Sequence, residues 1–334
     1  METLRVQLLA EKGETSIPSQ YVQPPETRPQ IEKPNVKVGV SVIDLKSRTN
    51  LLDEVKKACK EWGAFQVINH KVPINLLDDM RRVGRSFFED RKMEEKLRYS
   101  CDSASPASEG YGSRMLVASN DTVLDWRDYF DHHTLPLSRR NPSHWPDSPA
   151  DYRKVVAEYS DHMKALAQEL LGLVSESLGM TCQCIENVVG EFYQNITISY
   201  YPPCPQPELT LGLQSHSDFG AITLLIQDDV GGLEVFNNGE WVSVNPISSA
   251  ICVILADQTE IITNGEYRSA QHRAVTNAGR SRLSVATFHD PAKTRQISPA
   301  FHPPRYHPVI YGDYVSSWYT KGPEGKRNLD ALLI

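Results

Sequence analysis

Six short β-rich runs crowd into the region between residues 190 and 290 and constrain the fold of the chain more than any other feature. Each run is rich in branched and aromatic side chains and is bounded by residues that favour turns. The runs cover residues 196–201, 221–227, 233–236, 241–244, 250–255 and 283–288. Asn237-Asn238-Gly239, between two of them, is typical of a tight β-hairpin turn. The pattern predicts sheets built from many short strands.

The sequence before this region is mainly helical in pattern. Apolar residues at helical spacing predict three helices, over 51–62, 76–88 and 149–174, and short strands are predicted at 38–45 and 65–68. Asn50 is expected to cap the first helix, Ser148-Pro149-Ala150-Asp151 to open the longest one and Gly179 to end it. Residues 100–114, rich in Ser, Ala and Gly, predict a mobile loop.

Helices followed by many short strands predict an α+β fold. We expect three regions: helices over 1–185 packed on the core, a strand-rich core over 186–300, and a C-terminal lid over 301–334. In the lid, Trp318 and Tyr319 would form an apolar face, and Gly322 and Gly325 would let it move. Since no repeat or low-complexity linker separates the regions, we do not expect independently folding domains.

Composition argues against several classes of partner. The 334 residues carry a net charge of −7, so they offer no basic surface for nucleic acid, and no apolar run approaches the roughly 20 residues that span a bilayer. The six cysteines form no Cys-x-x-Cys pair, which favours free thiols in a reducing compartment. The polar, acidic N-terminus resembles no targeting peptide. We therefore expect a cytoplasmic monomer that binds a small-molecule substrate.

Three candidate metal ligands lie in the strand-rich region. His216 and Asp218 are two residues apart, so in a strand they would point to one face, where His272 from another strand could join them. Two imidazoles and a carboxylate leave three positions open on octahedral Fe(II), enough for a co-substrate and dioxygen. Zinc hydrolases use the same types of ligand, so these three residues alone do not identify the metal.

An arginine downstream favours iron. After His272 the chain can turn at Asn277-Ala278-Gly279 and return as an antiparallel strand on which Arg282, Ser284 and Phe288 share one face. A guanidinium beside a hydroxyl, one hairpin from a metal ligand, suits a dicarboxylate that chelates iron through its keto-acid end.

Further motifs extend this pattern to the N-terminus. They are Ile17-Pro18-Ser19-Gln20-Tyr21-Val22, Gly63-Ala64-Phe65-Gln66-Val67-Ile68-Asn69-His70, Ile198-Ser199-Tyr200-Tyr201-Pro202-Pro203-Cys204-Pro205, Ala256-Asp257-Gln258 and Thr263-Asn264-Gly265. Together with His-x-Asp, the second His and Arg-x-Ser, they make nearly the whole chain resemble the plant 2-oxoglutarate and Fe(II) dependent dioxygenases. That family includes flavonoid, gibberellin and alkaloid oxygenases.

The resemblance implies a double-stranded β-helix, or jelly roll, with iron inside its mouth and helices packed outside. It implies two sets of site residues: His216, Asp218 and His272 as ligands of the catalytic Fe(II), and Arg282, Ser284 and Tyr201 as contacts of 2-oxoglutarate. Ser199 stands where many relatives have Asn, so we expect it to contact the keto-acid end only through water. Asp257 is expected to support the ligands rather than to bind metal.

Four residues are candidates for contact with the organic substrate: Tyr129, Phe130, His132 and Phe288. For Tyr129, Phe130 and His132 the reason is the region's place near the substrate in the family, and packing in the hydrophobic core is the alternative for all four.

The expected reaction consumes 2-oxoglutarate and O2, releases succinate and CO2, and oxidises a small, mostly apolar metabolite of specialised metabolism or a hormone-like molecule. Hydroxylation, desaturation and demethylation all remain open, and ascorbate is the expected reductant that sustains activity. Two alternatives differ in kind. One is an oxidase like the ethylene-forming enzyme, which uses ascorbate in place of 2-oxoglutarate, and the other is a non-catalytic small-molecule binding protein of the same fold.

Overall fold

A computed structural model describes residues 5–29, 39–47, 49–102, 108–113, 123–321 and 328–334. The helices are α1 Val6–Glu11, α2 Leu51–Glu61, α3 Ile74–Glu89, α4 Met93–Leu97, α5 Tyr152–Ser177, α6 Cys184–Val189, α7 Asp257–Ile262 and α8 Tyr311–Lys321. The strands are β1 Val42–Asp44, β2 Ala64–Ile68, β3 Gly110–Gly112, β4 Asp128–Leu135, β5 Tyr193–Tyr201, β6 Leu213–His216, β7 Ile222–Gln227, β8 Leu233–Asn237, β9 Glu240–Ser243, β10 Ile251–Leu255, β11 His272–Ala274, β12 Arg282–Asp290, β13 Gln296–Ile297 and β14 Val309–Ile310.

Two sheets organise the molecule. The larger has eight strands in the order β1-β2-β10-β7-β12-β5-β4-β3, and the smaller has four in the order β6-β11-β8-β9. In the larger sheet β1 and β2 run parallel, and the other neighbouring strands run antiparallel. Strands β1 to β4 precede residue 185, so the predicted helical region and the strand-rich core share one continuous sheet.

The two faces of the large sheet pack against different layers. On the outer face, α2, α3 and α5 enclose the main hydrophobic core, where Phe87 of α3 lies edge-on to Phe130 of β4 with ring centroids 5.0 Å apart. On the other face, which we call the inner face, Leu225 and Ile254 pack with Val235 of the small sheet. Because both faces are covered, β7 and β10 are buried along their whole lengths.

Most predicted elements are present, with differences at their ends: α5 begins at Tyr152, after Asp151, and not at Pro149 after Ser148 as predicted. Gly179, with a φ of 75°, follows the C-terminal turn of α5, the left-handed conformation that commonly ends a helix. Asn50 precedes α2 as predicted, but its φ of 62° is left-handed and its side chain makes no capping hydrogen bond. Asn238 and Gly239, at φ 49° and 84°, join β8 to β9 and confirm the predicted hairpin. All six cysteines are free.

The predicted loop over 100–114 contains a strand. β3 pairs with β4, and Tyr111 within it is fully buried, with its hydroxyl donating to Asp128 at 3.0 Å. The high Ser, Ala and Gly content of the segment hid this strand, because Gly110 and Gly112 flank the one large side chain that packs. Residues 103–107 and 114 of the predicted loop lie outside the described residues.

The C-terminal segment reaches the centre of the molecule through α8. The hydroxyl of Tyr314 donates to Oδ2 of Asp257, at the start of α7, at 2.6 Å. The side chains of Trp318 and Tyr319 and the glycines at 322 and 325 lie outside the described residues. Among the helices that the structure describes, none combines the length and the apolar character needed to cross a membrane.

Candidate active site

Two histidines lie side by side in the small sheet, at the end of β6 and the start of β11. His216 and His272 are direct partners across this antiparallel pair, with ring centroids 4.3 Å apart. Their Nδ1–H groups donate to the carbonyls of Gln214 at 2.8 Å and Ala270 at 2.9 Å. Because a carbonyl only accepts, these bonds keep the proton on Nδ1 and leave the lone pair of each Nε2 for a further ligand.

Asp218 joins the histidines from the loop after β6. Its Oδ1 lies 3.5 Å from Nε2 of His216 and 3.8 Å from Nε2 of His272. The hydroxyl of Thr223 donates to Oδ2 at 2.6 Å, and the backbone N–H of Asp257 donates to the carbonyl of Asp218 at 2.9 Å. Since β6 ends at His216, Asp218 is positioned by the loop after the strand. The expected placement by alternation along a strand is therefore wrong.

Burial and neighbouring charges set the protonation of this cluster. Burial acts to raise the pKa of Asp218, but His272 and His216 outweigh it and lower this pKa to about 2. Burial lowers the pKa of His272 to about 4, and the adjacent ring of His216 acts in the same direction. An ionised carboxylate beside a neutral imidazole is the state that binds a divalent cation.

The arrangement fits a divalent metal with open positions. One ligand atom from each of His216, Asp218 and His272 lies within 4.8 Å of the others. In the part of the chain that the structure describes, no further His, Cys, Asp or Glu joins the group. A closed structural zinc site would require four ligands, whereas two nitrogens and one carboxylate oxygen suit octahedral Fe(II) with three positions free.

Arg282 is a buried cation at the start of β12. It is 2% exposed, and no hydrogen-bond partner of its Nε is found among the described residues. Within the described ranges, the hydrogen bonds of its other nitrogens are long, from Nη1 to Oγ of Ser284 at 3.4 Å and from Nη2 to Oε1 of Gln227 at 3.3 Å. A buried guanidinium held this loosely by neutral groups is suited to a carboxylate ligand that would take its remaining donors.

Two polar side chains of the neighbouring strand β5 lie beside this arginine. Tyr201 lies opposite Arg282, and Ser199 lies opposite Ser284. The guanidinium carbon is 4.7 Å from the centre of the Tyr201 ring. Burial acts to raise the pKa of the Tyr201 phenol, but the charges of Arg282 and Arg127 outweigh it and lower this pKa. Ser199 accepts from Nη1 of Arg127 at 3.0 Å, an interaction that the sequence did not suggest.

The inner face of β7 connects the metal cluster to the arginine. Alternation places Thr223, Leu225 and Gln227 on this face. Thr223 bonds to Asp218 at one end of the strand, and Gln227 accepts from Arg282 at the other. Neither polar residue was predicted from the sequence. Their signal was present, because they occupy alternate positions in an otherwise apolar strand.

The predicted hairpin from His272 to Arg282 is wrong. β11 pairs with β6 and β8 in the small sheet, whereas β12 pairs with β5 and β7 in the large one. The chain therefore crosses between the sheets after Ala274, where the N–H of Val275 donates to the carbonyl of Gly232 at 2.8 Å. The histidine and the arginine lie on different sheets, and not on neighbouring strands.

The structure brings two of the four substrate candidates to the inner face. Tyr129 is paired with Ser199 in the sheet register, and the half-buried Phe288 is paired with Thr223. Both therefore share the face that carries Arg282.

The structure does not bring Phe130 and His132 to the site. They occupy the opposite face of β4, because side chains alternate along a strand. Nε2 of His132 lies 3.0 Å from the hydroxyl of Tyr152 in α5, and Phe130 packs on Phe87. Core packing, the alternative for these residues, accounts for both.

Comparison with known proteins agrees with this geometry. Residues 192–291 match the model of the 2OG-Fe(II) oxygenase superfamily, and residues 40–148 match that of the non-haem dioxygenase in morphine synthesis N-terminal region. Jasmonate-induced oxygenase 4 of Arabidopsis thaliana is 37% identical over 98% of this chain and 96% of its own length. Flavanone 3-dioxygenase 2 of Oryza sativa subsp. japonica is 35% identical over 97% and 94%. The chain belongs to the 2OG-Fe(II) oxygenase superfamily.

Structural similarity extends over the whole of this oxygenase. The crystal structure of JOX2 in complex with 2OG, Fe and JA matches with a TM-score of 0.92 at 33% identity, covering 100% of this chain and 98% of JOX2. The predicted jelly-roll fold is confirmed. So are the predicted enzyme class, a 2-oxoglutarate-dependent dioxygenase, and its Fe(II) and 2-oxoglutarate cofactors.

Proposed function

We propose that His216, Asp218 and His272 bind the Fe(II) of this dioxygenase and that Arg282 binds the distal carboxylate of 2-oxoglutarate, with Ser284 and Tyr201 as further contacts. The observation that carries the second assignment is a buried guanidinium whose Nε lacks a partner among the described residues. Bound iron and co-substrate supply the oxidation by O2, with release of succinate and CO2.

The protein's contribution is to fix ligands and co-substrate in one geometry. The bonds from Nδ1 of His216 and His272 to backbone carbonyls hold both rings with Nε2 toward the metal position. Thr223 holds one oxygen of Asp218, which leaves Oδ1 for the metal. Low solvent exposure around Arg282 strengthens its attraction for a carboxylate, because the local dielectric constant is low.

We further propose that the organic substrate is a small plant metabolite or hormone-like molecule with an apolar body and one or more polar groups. Tyr129 and Phe288 would contact the apolar part. On the same face of β4 and β5, Asp131 accepts a hydrogen bond from Thr197, and this pair offers a polar contact. The relative JOX2 was crystallised with JA, and another relative is named for naringenin, which supports a substrate of this size and character.

The setting of this reaction is also a proposal. We place the enzyme in the cytoplasm as a monomer, with ascorbate as the reductant that maintains iron as Fe(II). The substrate oxidation ends in hydroxylation, desaturation or demethylation.

The test is to incubate the protein anaerobically with Fe(II), 2-oxoglutarate and a panel of plant metabolites, and then to admit O2. We expect succinate to form in step with loss of one metabolite. Product formation that needs ascorbate but forms no succinate would instead indicate the ascorbate-using oxidase. Binding of a metabolite with no turnover of 2-oxoglutarate would indicate a non-catalytic binding protein.

A further inference from the structure

Asp228, the residue after β7, is a buried carboxylate outside the metal cluster. It is 9% exposed, and three donors converge on it. The backbone N–H of Leu283 donates to Oδ2 at 2.6 Å and Nη2 of Arg85 donates to the same oxygen at 2.8 Å, while the N–H of Val230 donates to Oδ1 at 3.0 Å. Both oxygens are therefore occupied by groups of the protein itself.

Asp228 holds the backbone on both sides of Leu283, the residue between Arg282 and Ser284. Its carboxylate accepts from the Leu283 N–H, and its own N–H donates to the Leu283 carbonyl at 3.0 Å. The pairing of β12 with β7 covers Ser284 to His289, so Arg282 lies beyond the last paired residue on that side. The side chain of Asp228 thus extends the support of β12 toward Arg282.

The third bond of Asp228 acts on the loop that packs against Arg282. The N–H of Val230 is held by Oδ1, and Gly232 follows two residues later at φ +103°. A Cβ at Gly232 would lie 3.3 Å from Cδ and 3.5 Å from Nε of Arg282. The Asp228 carboxylate therefore bonds both to the backbone next to Arg282 and to the loop that lies against the Arg282 side chain.

Arg85 of α3 contacts both Asp228 and the residue before Arg282 from the protein surface. Besides its bond to Asp228, its Nη1 contacts Oγ of Ser281, the residue before Arg282, at 3.4 Å. The neighbouring acid differs, because Asp229 is exposed and forms its salt bridge with the exposed Arg280, at 2.8 Å. Asp229 is thus a matched control with the same charge, one residue away.

We propose that Asp228 is a positioning residue that holds Arg282 in the orientation that binds the 2-oxoglutarate carboxylate. It acts through Leu283 and the loop around Val230 and touches neither iron nor co-substrate. The inference rests on the proposed role of Arg282. An amide at this position has one accepting oxygen in place of two, so Asp228→Asn would lose at least one of the two backbone bonds.

The test measures 2-oxoglutarate affinity by titration calorimetry on the Fe(II)-loaded protein without O2, together with KM and kcat. We expect Asp228→Asn to raise Kd and KM for 2-oxoglutarate by about tenfold, the effect of losing one hydrogen bond to a charged group. The kcat at saturating 2-oxoglutarate and the Fe(II) affinity stay near wild type. Asp229→Asn leaves all four quantities unchanged. An Asp228→Asn protein that binds 2-oxoglutarate as tightly as the Asp229→Asn protein overturns the proposal.

Two further variants separate this proposal from the role of Arg282. If Arg282→Lys leaves the Kd for 2-oxoglutarate unchanged, the proposed function of Arg282 is wrong; if it weakens binding and Asp228→Asn does not, only the positioning role is wrong. In the double variant Asp228→Asn/Arg282→Lys, we expect log Kd for 2-oxoglutarate to rise by clearly less than the sum of the rises in the two single variants, since both substitutions act on one contact.

If Asp228→Asn fails to fold, the Arg85→Ala variant tests the proposal in its place. We expect its Kd for 2-oxoglutarate to rise about threefold, and an unchanged Kd overturns the proposal.

Discussion

The inner faces of β12 and β4 hold their side chains in different ways. β12 lies between β5 and β7 along most of its length, and Arg282 on it is linked to both neighbours. β4 lies next to the sheet edge, where its outer partner β3 is three residues long. The side chains proposed to bind the co-substrate thus sit at the centre of the sheet, whereas Tyr129, one of the two proposed to bind the substrate, sits near its margin.

The largest effect is expected from removing a proposed metal ligand, His272 on β11 of the small sheet. His272→Ala eliminates a nitrogen ligand, so we expect activity to fall by more than the roughly 100-fold that loss of an outer partner costs. Fe(II) affinity falls with it, while thermal stability changes little. His307→Ala, at an exposed position, is the control. Wild-type activity and iron content in the His272→Ala protein would remove this residue from the metal site.

The second-largest effect is expected from a substitution at Arg282. Arg282→Lys replaces a planar fork with a point charge, so we expect the Kd for 2-oxoglutarate to rise about 10- to 100-fold with little change in Fe(II) affinity. Titration calorimetry without O2 measures the Kd, and a curve of activity against 2-oxoglutarate concentration measures the KM, which we expect to rise with it. Arg280→Lys, two residues earlier and exposed, is expected to leave the curve in place. Equal shifts in the two variants would move the carboxylate anchor elsewhere.

A smaller and qualitatively different effect is expected along β4 and the far end of β12. Tyr129→Leu and Phe288→Leu on the inner face are expected to keep consumption of 2-oxoglutarate but to lose coupling to oxidation of the organic substrate. Phe130→Leu, on the outer face, is expected to lower the free energy of unfolding by roughly 1–2 kcal/mol with coupling unchanged. Succinate and product are measured together with thermal unfolding. Parallel loss of stability and both activities in all three variants would contradict the distinction between the faces.

The smallest effect is expected from Asp131, a half-buried acid on β4. Burial raises the pKa of Asp131 to about 6, above its ordinary value near 3.8, so ionisation opposes folding as the pH rises through this range. Asp131→Asn, which cannot ionise, is therefore expected to raise Tm relative to wild type by about 2 °C at pH 7. The difference should shrink as the pH falls through 6 toward 4, because the wild-type carboxyl then becomes protonated in the folded state. A Tm difference that is the same at pH 4 and pH 7 would contradict this assignment.

The sequence by itself determined the residue types of the site and most of the elements that carry it. His216, Asp218, His272, Arg282 and Ser284 were selected from their spacing. The helices α3 and α5 and the strands β5, β7, β8, β9, β10 and β12 were predicted from local periodicity, whereas β6 and β11 were not among the predicted runs. This was possible because helix and strand periods are local properties that can be read within one segment. The polar alternation of Thr223 and Gln227 was equally available but was overlooked inside an apolar run.

Only the tertiary structure decided which segments meet. Alternation separates Tyr129 from Phe130 but does not say which of them faces the helices, since that depends on a layer contributed by distant residues such as Phe87. The crossing of the chain between β11 and β12 likewise depends on pairings with β6 and β5, which lie far away in sequence. Local periodicity cannot carry this information, because register and facing are set by the long-range burial of apolar surface.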